Sequence, residues 1–323
     1  MDTVADYLSS ASAQSRRIAA FVAADEPKTY KATLRHFGRS LELSVRLPGL
    51  KELSHRFDGA SIPASLLVPD ELTEAEQEQR DQENRHRADH RTKQSVRWCL
   101  KTIAADHLLT LTYRENQTDF DRVKKDWQRF VRLVRVRYPK WQYVCVHERQ
   151  ERGAWHLHVG IVGRGDVHWL RRCWWMALGH RVEIDYSPEG KKSLRSLVRD
   201  GVEWRYSRSD EVRGNIDLRG PSRRFGGDGR RWKTEKLAAY MTKYMTKSMS
   251  ENQAAGSRRY WPSKSIERRD PVRWWLTATS YDEAVREAHD LLRSRYCCSE
   301  LHIWTSVDMS RMWFAGGGIE CPF

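Results

Sequence analysis

The sequence predicts an α+β fold whose core runs β-α-β-β-α-β, with a mainly helical region ahead of it. Three observations carry that prediction. Beyond residue 100, short runs of strand-forming residues alternate with segments whose apolar residues recur at helical spacing. Two of the strand runs flank a polar turn at Gly153, the mark of a hairpin. The first hundred residues read differently: a small-residue helical pattern spans Asp2–Ala24, and Pro and Gly punctuate Leu47–Pro69. A charge-dense run follows with almost no core residue before Val96, as in a solvated helix or a linker. The chain therefore divides into an N-terminal region at 1–100, a principal domain at 101–310 and a loose, glycine-containing tail at 311–323.

Each element has its own local signal. Leu108–Tyr113 (LLTLTY) is rich in strand formers. From Thr118, residues Phe120, Val123, Trp127, Phe130, Val131 and Val134 line one helix face until Pro139 stops it. Trp141–Val146 and Trp155–Val162 are the hairpin strands. Asp166 caps a helix through Leu178, with Gly179 at its C′ position. Arg181–Tyr186 (RVEIDY) alternates apolar and polar, as a half-buried strand does, and closes the core. Between Gly190 and Trp232 the chain is basic and glycine-rich, with weaker strand signals at Glu203–Tyr206 and Asn215–Leu218, read as loops or an edge hairpin. Thr234 opens a helix (TEKLAAYMTKYMTKSM). Ser280 and Glu283 form a capping box for a further helix to about Arg295, between strands at Arg273–Thr279 and Leu301–Val307. The tryptophans Trp174, Trp175, Trp274 and Trp275 are expected mostly in the core.

Composition narrows the function. Lys+Arg number 57 against 43 Asp+Glu, a formal charge of +14, which suits a polyanionic partner. A hydrophobic content of 39% with 11% aromatics excludes a disordered chain. No apolar run approaches the roughly 18 residues of a membrane span, and the N-terminus lacks the pattern of a signal peptide, so no membrane partner is expected and the protein reads as soluble and intracellular. The six cysteines (Cys99, Cys145, Cys173, Cys297, Cys298, Cys321) form no C-x-x-C pair, which points to reduced thiols rather than a zinc ribbon or disulfide frame.

Two constellations carry chemistry. In Trp155-His156-Leu157-His158 the histidines are two apart on a strand, so both imidazoles share a face. Glu148, with His147 as the alternative, lies across the Gly153 turn and can add a third ligand, a set suited to a divalent ion with open positions. The alternative is a pair of half-buried polar residues on an open sheet face. On the helix from Thr234, at about 100° per residue, Tyr240 and Tyr244 form a stripe between an apolar one (Leu237, Met241, Met245) and a basic one (Lys243, Lys247). A free phenol titrates near 10, so neighbouring cations are what a tyrosine nucleophile needs at neutral pH; the alternative is an ordinary amphipathic helix.

LLTLTY, then HERQERGAWHLHVGI, then AAYMTKYMTK resembles, in that order, the three motifs of the HUH rolling-circle replication initiators of phage and plasmid type, two-tyrosine class. The resemblance covers about residues 105–250. It implies a ferredoxin/RRM-like antiparallel sheet with helices on one face. It implies that His156, His158 and Glu148 hold Mg²⁺ or Mn²⁺, that Tyr240 and Tyr244 are nucleophiles, and that Lys243 and Lys247 assist at the phosphate. Thr110 and Thr112 fall in the first motif. The implied activity of the 101–310 domain is nicking of single-stranded DNA at a replication origin (a hairpin or nick site), leaving a 5′-phosphotyrosyl link and a free 3′-OH, with later rejoining. The implied setting is the cytoplasm of a bacterial host.

No G-x-x-x-x-G-K-[ST] loop occurs, so a separate helicase is expected beside the polymerase. DNA grip is expected from Arg223, Arg224, Arg230, Arg231 and Lys233, helped by Arg219 and Lys236, with Phe225 and Trp232 stacking on bases. The rival readings are an HUH-class transposase acting on insertion-sequence ends and a non-enzymatic single-strand nucleic-acid-binding protein.

Overall fold

The computed structural model describes residues 29–38, 40–47, 73–184, 194–199, 202–205, 214–220, 234–249, 259–296, 300–307 and 311–317. In chain order the elements are β1 (Lys31–Phe37), β2 (Ser40–Arg46), α1 (Glu74–Thr102), β3 (His107–Tyr113), α2 (Phe120–Arg137), β4 (Tyr143–Arg149), β5 (Trp155–Ile161), α3 (Val167–Ala177) and β6 (Arg181–Ile184). They continue with β7 (Leu194–Arg199), β8 (Val202–Arg205), β9 (Gly214–Arg219), α4 (Thr234–Met249), β10 (Tyr260–Pro262), β11 (Val272–Trp275), α5 (Tyr281–Tyr296), β12 (Glu300–Thr305) and β13 (Arg311–Gly317). The fold is α+β. Two compact units comprise Met1–Arg85 with Arg269–Phe323, and His86–Arg268, where the sequence set its boundaries at 100 and 310.

The 86–268 unit is built on an antiparallel sheet of order β10-β4-β5-β3-β9. Asp119 caps α2 by accepting from the N–H groups of Asp121 and Arg122, and the helix then seats Val123, Trp127, Phe130, Val131 and Val134 on the sheet. Asp166 caps α3 through the N–H groups of His168 and Trp169, and the chain turns away at Gly179, whose φ of +94° suits glycine. These helices cover the face formed by Leu109, Leu111, Cys145, Leu157 and Val159. The opposite face is covered as well: Val96, Cys99 and Leu100 of α1 and Leu237, Ala238 and Met241 of α4 pack on Leu108, Val144 and Val146. Burial on both sides explains why Tyr143–Glu148 is buried at every position.

The β-α-β-β-α-β order holds, but the closing strand is β9, at the edge beside β3. The Arg181–Tyr186 segment expected there supplies β6 instead, in a separate three-stranded sheet of order β6-β7-β8. Packing decides between them. Trp174 Nε1 donates to the Thr112 carbonyl and Trp175 Nε1 to that of Gly214, so α3 clasps β3 and β9 together. A Cβ at Gly214 would lie 2.4 Å from the Thr112 carbonyl oxygen and 2.7 Å from Trp174 Nε1, so only glycine admits that strand.

The charge-dense run is a helix, α1, opened by a capping box in which the Thr73 N–H donates to Glu76 Oε2 at 2.9 Å. The N-terminal region also holds the β1–β2 hairpin, which no sequence signal had marked. Its sheet has the order β11-β1-β2-β13-β12. Ala284, Ala288 and Leu292 of α5 pack there on Leu41, Leu43, Val45 and Phe314. The Ser280–Glu283 box caps α5, with the Glu283 N–H donating to Ser280 Oγ at 3.4 Å. The expected loose tail is partly ordered: β13 lies between β2 and β12, with Met312 and Phe314 buried. Trp174 and Trp175 are core residues as expected, whereas Trp274 and Trp275 are half-buried on the edge strand β11. Cys99, Cys145 and Cys173 are buried free thiols. The expected helix at Asp2–Ala24 and Cys297, Cys298 and Cys321 lie outside the described residues. Among the described residues no helix is long and apolar enough to cross a membrane.

Candidate functional site

The β4–β5 hairpin, turned at Gly153 with φ +84°, sets Glu148 opposite His156 and Val146 opposite His158. Side chains alternate along a strand, so Glu148, His156 and His158 share the face that α1 and α4 cover elsewhere. One ligand atom from each lies within 4.8 Å of the others, the only such cluster of three or more among the described residues. His158 Nε2 stands 2.8 Å from Glu148 Oε2, and the two residues are 5% and 7% exposed. His147, one residue away, points to the opposite face among Phe120, Trp155 and Trp261, which removes it as a ligand.

The electrostatics favour neutral imidazole. Burial above all, then the neighbouring charges of His158 and Arg152, pushes His156 down to about 4, with Glu148 pulling the other way. Neutral nitrogen is the form that coordinates a cation. Arg152 is held in the turn by Gln150 Oε1 at 3.0 Å and the Tyr113 carbonyl at 3.4 Å. Strand β3 brings Thr110 opposite His158 and Thr112 opposite His156. Thr110 Oγ1 lies 3.5 Å from His158 Nδ1. A cation between Nε2 and Glu148 requires the ring proton on Nδ1, and Thr110 is placed to accept it. Two nitrogens and a carboxylate in a buried setting fit a divalent metal.

Helix α4 runs over β4 and β5 on this same face. Leu237, Ala238 and Met241 are fully buried, Tyr240 is half-buried at their margin, and Lys236 and Lys243 are exposed. The three stripes expected from the sequence thus appear in the first turns of the helix. Gly160, two residues beyond His158, makes the approach possible: a Cβ there would lie 2.3 Å from Leu100 Cδ2 and 2.9 Å from Met241 Sδ. The sequence reading missed this role, and the signal was a glycine inside a strand pattern. It also missed that β9 lays Asn215 and Asp217 opposite Thr112 and Thr110 on the site face, although their polar-apolar alternation was visible. Asp217 pairs there with Arg219 at 2.6 Å.

Tyr244 and Lys247 lie on the backbone of α4, with side chains outside the described residues. Arg223, Arg224, Phe225, Arg230, Arg231, Trp232 and Lys233 also lie outside them.

A five-stranded antiparallel sheet with a buried His-x-His and glutamate on one face, beneath a tyrosine-bearing helix, defines an α+β protein with a candidate metal-binding centre. Residues 106–249 match the family of replication-associated proteins of the ORF2 type, and so carry a replication-associated domain that supports a rolling-circle replication initiator acting on DNA. The matched span contains all three site elements, the LLTLTY strand, the histidine hairpin and helix α4. No curated protein and no solved structure matches the chain.

Proposed function

We propose that the protein is an HUH-type, two-tyrosine initiator that nicks single-stranded origin DNA by tyrosine transesterification and later rejoins the strands. The observation that carries this reading is the convergence of Glu148, His156 and His158 on the sheet face over which the Tyr240 helix packs. In this reading the three residues hold Mg²⁺ or Mn²⁺. When bound, such an ion supplies Lewis-acid polarisation of the scissile phosphate.

The residues do the rest. Tyr240 Oη attacks phosphorus; the tyrosyl O–P bond forms as the P–O3′ bond breaks, the phenol gives up its proton and the departing 3′ oxygen takes one. The products are a 5′-phosphotyrosyl link and a free 3′-OH, and bond energy is conserved for rejoining. Lys243, exposed on the next turn, offsets charge on the phosphoryl oxygens, and Lys247 does so at Tyr244. Tyr244 serves a second cut while the first end stays covalently held. The basic 219–236 segment, through Arg223, Arg224, Arg230, Arg231, Trp232 and Lys233, grips the strand, and unwinding and extension fall to a separate helicase and polymerase.

The test is incubation of the protein with end-labelled single-stranded DNA from its own element, in Mn²⁺ or EDTA, followed by denaturing protein gels. The expected result is a metal-dependent adduct carrying the downstream fragment, reduced in Tyr240→Phe or Tyr244→Phe and absent from the double variant. An adduct that persists in the double variant overturns the assignment of the nucleophiles, and tight binding with no adduct overturns the nickase.

A further inference from the structure

Helix α2 carries a second cationic surface, on the side of the 86–268 sheet opposite the metal-ligating residues. Its inner stripe is buried in the core with α3, so its outer stripe faces solvent. At about 100° per residue, Lys125, Arg129 and Arg132 fall within ~60° of one another, with Arg122 close beside them. All are exposed, as is Lys124. The helix has seven basic residues (Arg122, Lys124, Lys125, Arg129, Arg132, Arg135, Arg137) and two acidic ones (Asp121, Asp126).

The acidic pair does not neutralise the stripe. Asp126 is buried, takes its ion pair from Arg122 at 3.1 Å and accepts from the Tyr113 hydroxyl; Asp121 sits in the first turn. Lys125, Arg129 and Arg132 form no ion pair with any described residue. Like charges at i,i+3 and i,i+4 repel by about 0.2–0.5 kcal/mol a pair, so the arrangement weakens the free helix and is relieved only by an anionic partner. The stripe contains no aromatic side chain on which an exposed base could stack, which disfavours a single strand. Its charges span about 10 Å of helix, at 1.5 Å per residue, and a duplex offers a phosphate per ~1.7 Å of axis.

We propose that the outer face of α2, centred on Lys125, Arg129 and Arg132, binds the phosphate backbone of duplex DNA without reading its sequence. Single-strand chemistry on one sheet face is thereby coupled to a hold on the adjoining duplex from the other. The surface acts by charge alone and does not depend on the tyrosine chemistry.

The experiment compares the full chain with K125A/R129A/R132A in EDTA, titrating a duplex of arbitrary sequence and poly(dT) across salt concentration. Each released counterion contributes about 0.9 to the slope of log K against log salt on a duplex, so the triple variant is expected to lose about 2.7 from that slope. Its poly(dT) slope and its circular dichroism stay unchanged. The glutamine version, K125Q/R129Q/R132Q, behaves alike, which separates charge from any packing change. An unchanged duplex slope overturns the proposal. So does an equal loss on both substrates, which makes the surface a single-strand site, or a loss confined to phosphatidylserine vesicles, which makes it a membrane surface.

Discussion

The molecule contains two five-stranded antiparallel sheets that do different work. In the sheet formed by β1, β2, β11, β12 and β13, the central strand β2 reads SLELSVR, with Leu41, Leu43 and Val45 turned to the α5 side. In the sheet formed by β3, β4, β5, β9 and β10, strand β4 reads YVCVHER and is buried from Tyr143 to Glu148 because helices cover both faces. Only the second sheet gathers two histidines and a carboxylate. Burying such groups away from water costs several kcal/mol unless they pair or bind a cation. A fully covered sheet with a polar cluster at one end has therefore spent stability on a site, whereas the other sheet follows its alternating pattern without such a cluster.

The sharpest way to break this comparison is one substitution in each sheet. Phe314→Ala, in the sheet without the cluster, is expected to destabilise its unit by about 3–5 kcal/mol while Mn²⁺ affinity stays at the native value. His158→Ala is expected to weaken Mn²⁺ binding by more than about 100-fold, beyond the roughly 10–100-fold effect of losing an outer-shell partner. Calorimetry and electron paramagnetic resonance with Mn²⁺ read both. Native-like metal binding by His158→Ala removes the histidine from the centre.

Gly160→Ala tests how the tyrosine helix is seated. Its Cβ would collide with Leu100 and Met241, an overpacking worth about 1–3 kcal/mol, so stability and adduct formation fall together while the metal residues are untouched. Unaltered stability means that the neighbours yield and that the glycine is not what admits α4.

Thr110→Val keeps the shape of the side chain and removes the acceptor facing His158 Nδ1. Metal affinity is expected to drop about tenfold or more, with recovery in Thr110→Ser and with thermal stability barely changed. Equal affinity in the Val and Ser variants refutes the positioning role.

The smallest effect is at the cap of α3. Asp166→Ala removes the acceptor for two backbone N–H groups and the 2.6 Å partner of Arg137, at about 1 kcal/mol. Partial burial raises the Asp166 carboxyl, but the Trp169 N–H, Arg137 and the His168 N–H outweigh it and hold it below its ordinary value. A carboxylate lowered in the folded state stabilises fully above its unfolded pKa of about 3.9, and that contribution is lost as pH falls through the folded value. The gap between native and variant melting temperatures therefore narrows on acidification, and a constant gap argues that the charge is irrelevant.

Much of the fold was legible because its signals are local. Asp166 and Gly179 bound α3, Ser280 and Glu283 open α5, and Gly153 turns the hairpin, each through bonds within a few residues. The metal trio was legible for a related reason: the period of two along β5 and the single turn at Gly153 determine which side chains of the hairpin meet. The failures involve partners far apart in sequence. The choice of β9 over β6 as closing strand rests on contacts of Trp174 with Thr112 and of Trp175 with Gly214. The ordering of Arg311–Gly317 depends on β2, which lies at the other end of the chain.

The sequence by itself therefore determined the α+β class, the helix boundaries and the His-x-His-Glu hairpin, because propensity, capping and alternation act over one turn or one strand pair. Only the tertiary structure decided which strand completes the sheet, that His147 faces away from the centre, and that Thr110 and Gly160 serve the histidine strand. Those outcomes depend on which surfaces can pack without a Cβ or a polar group in the way, and such exclusions arise only when residues distant in sequence share one volume.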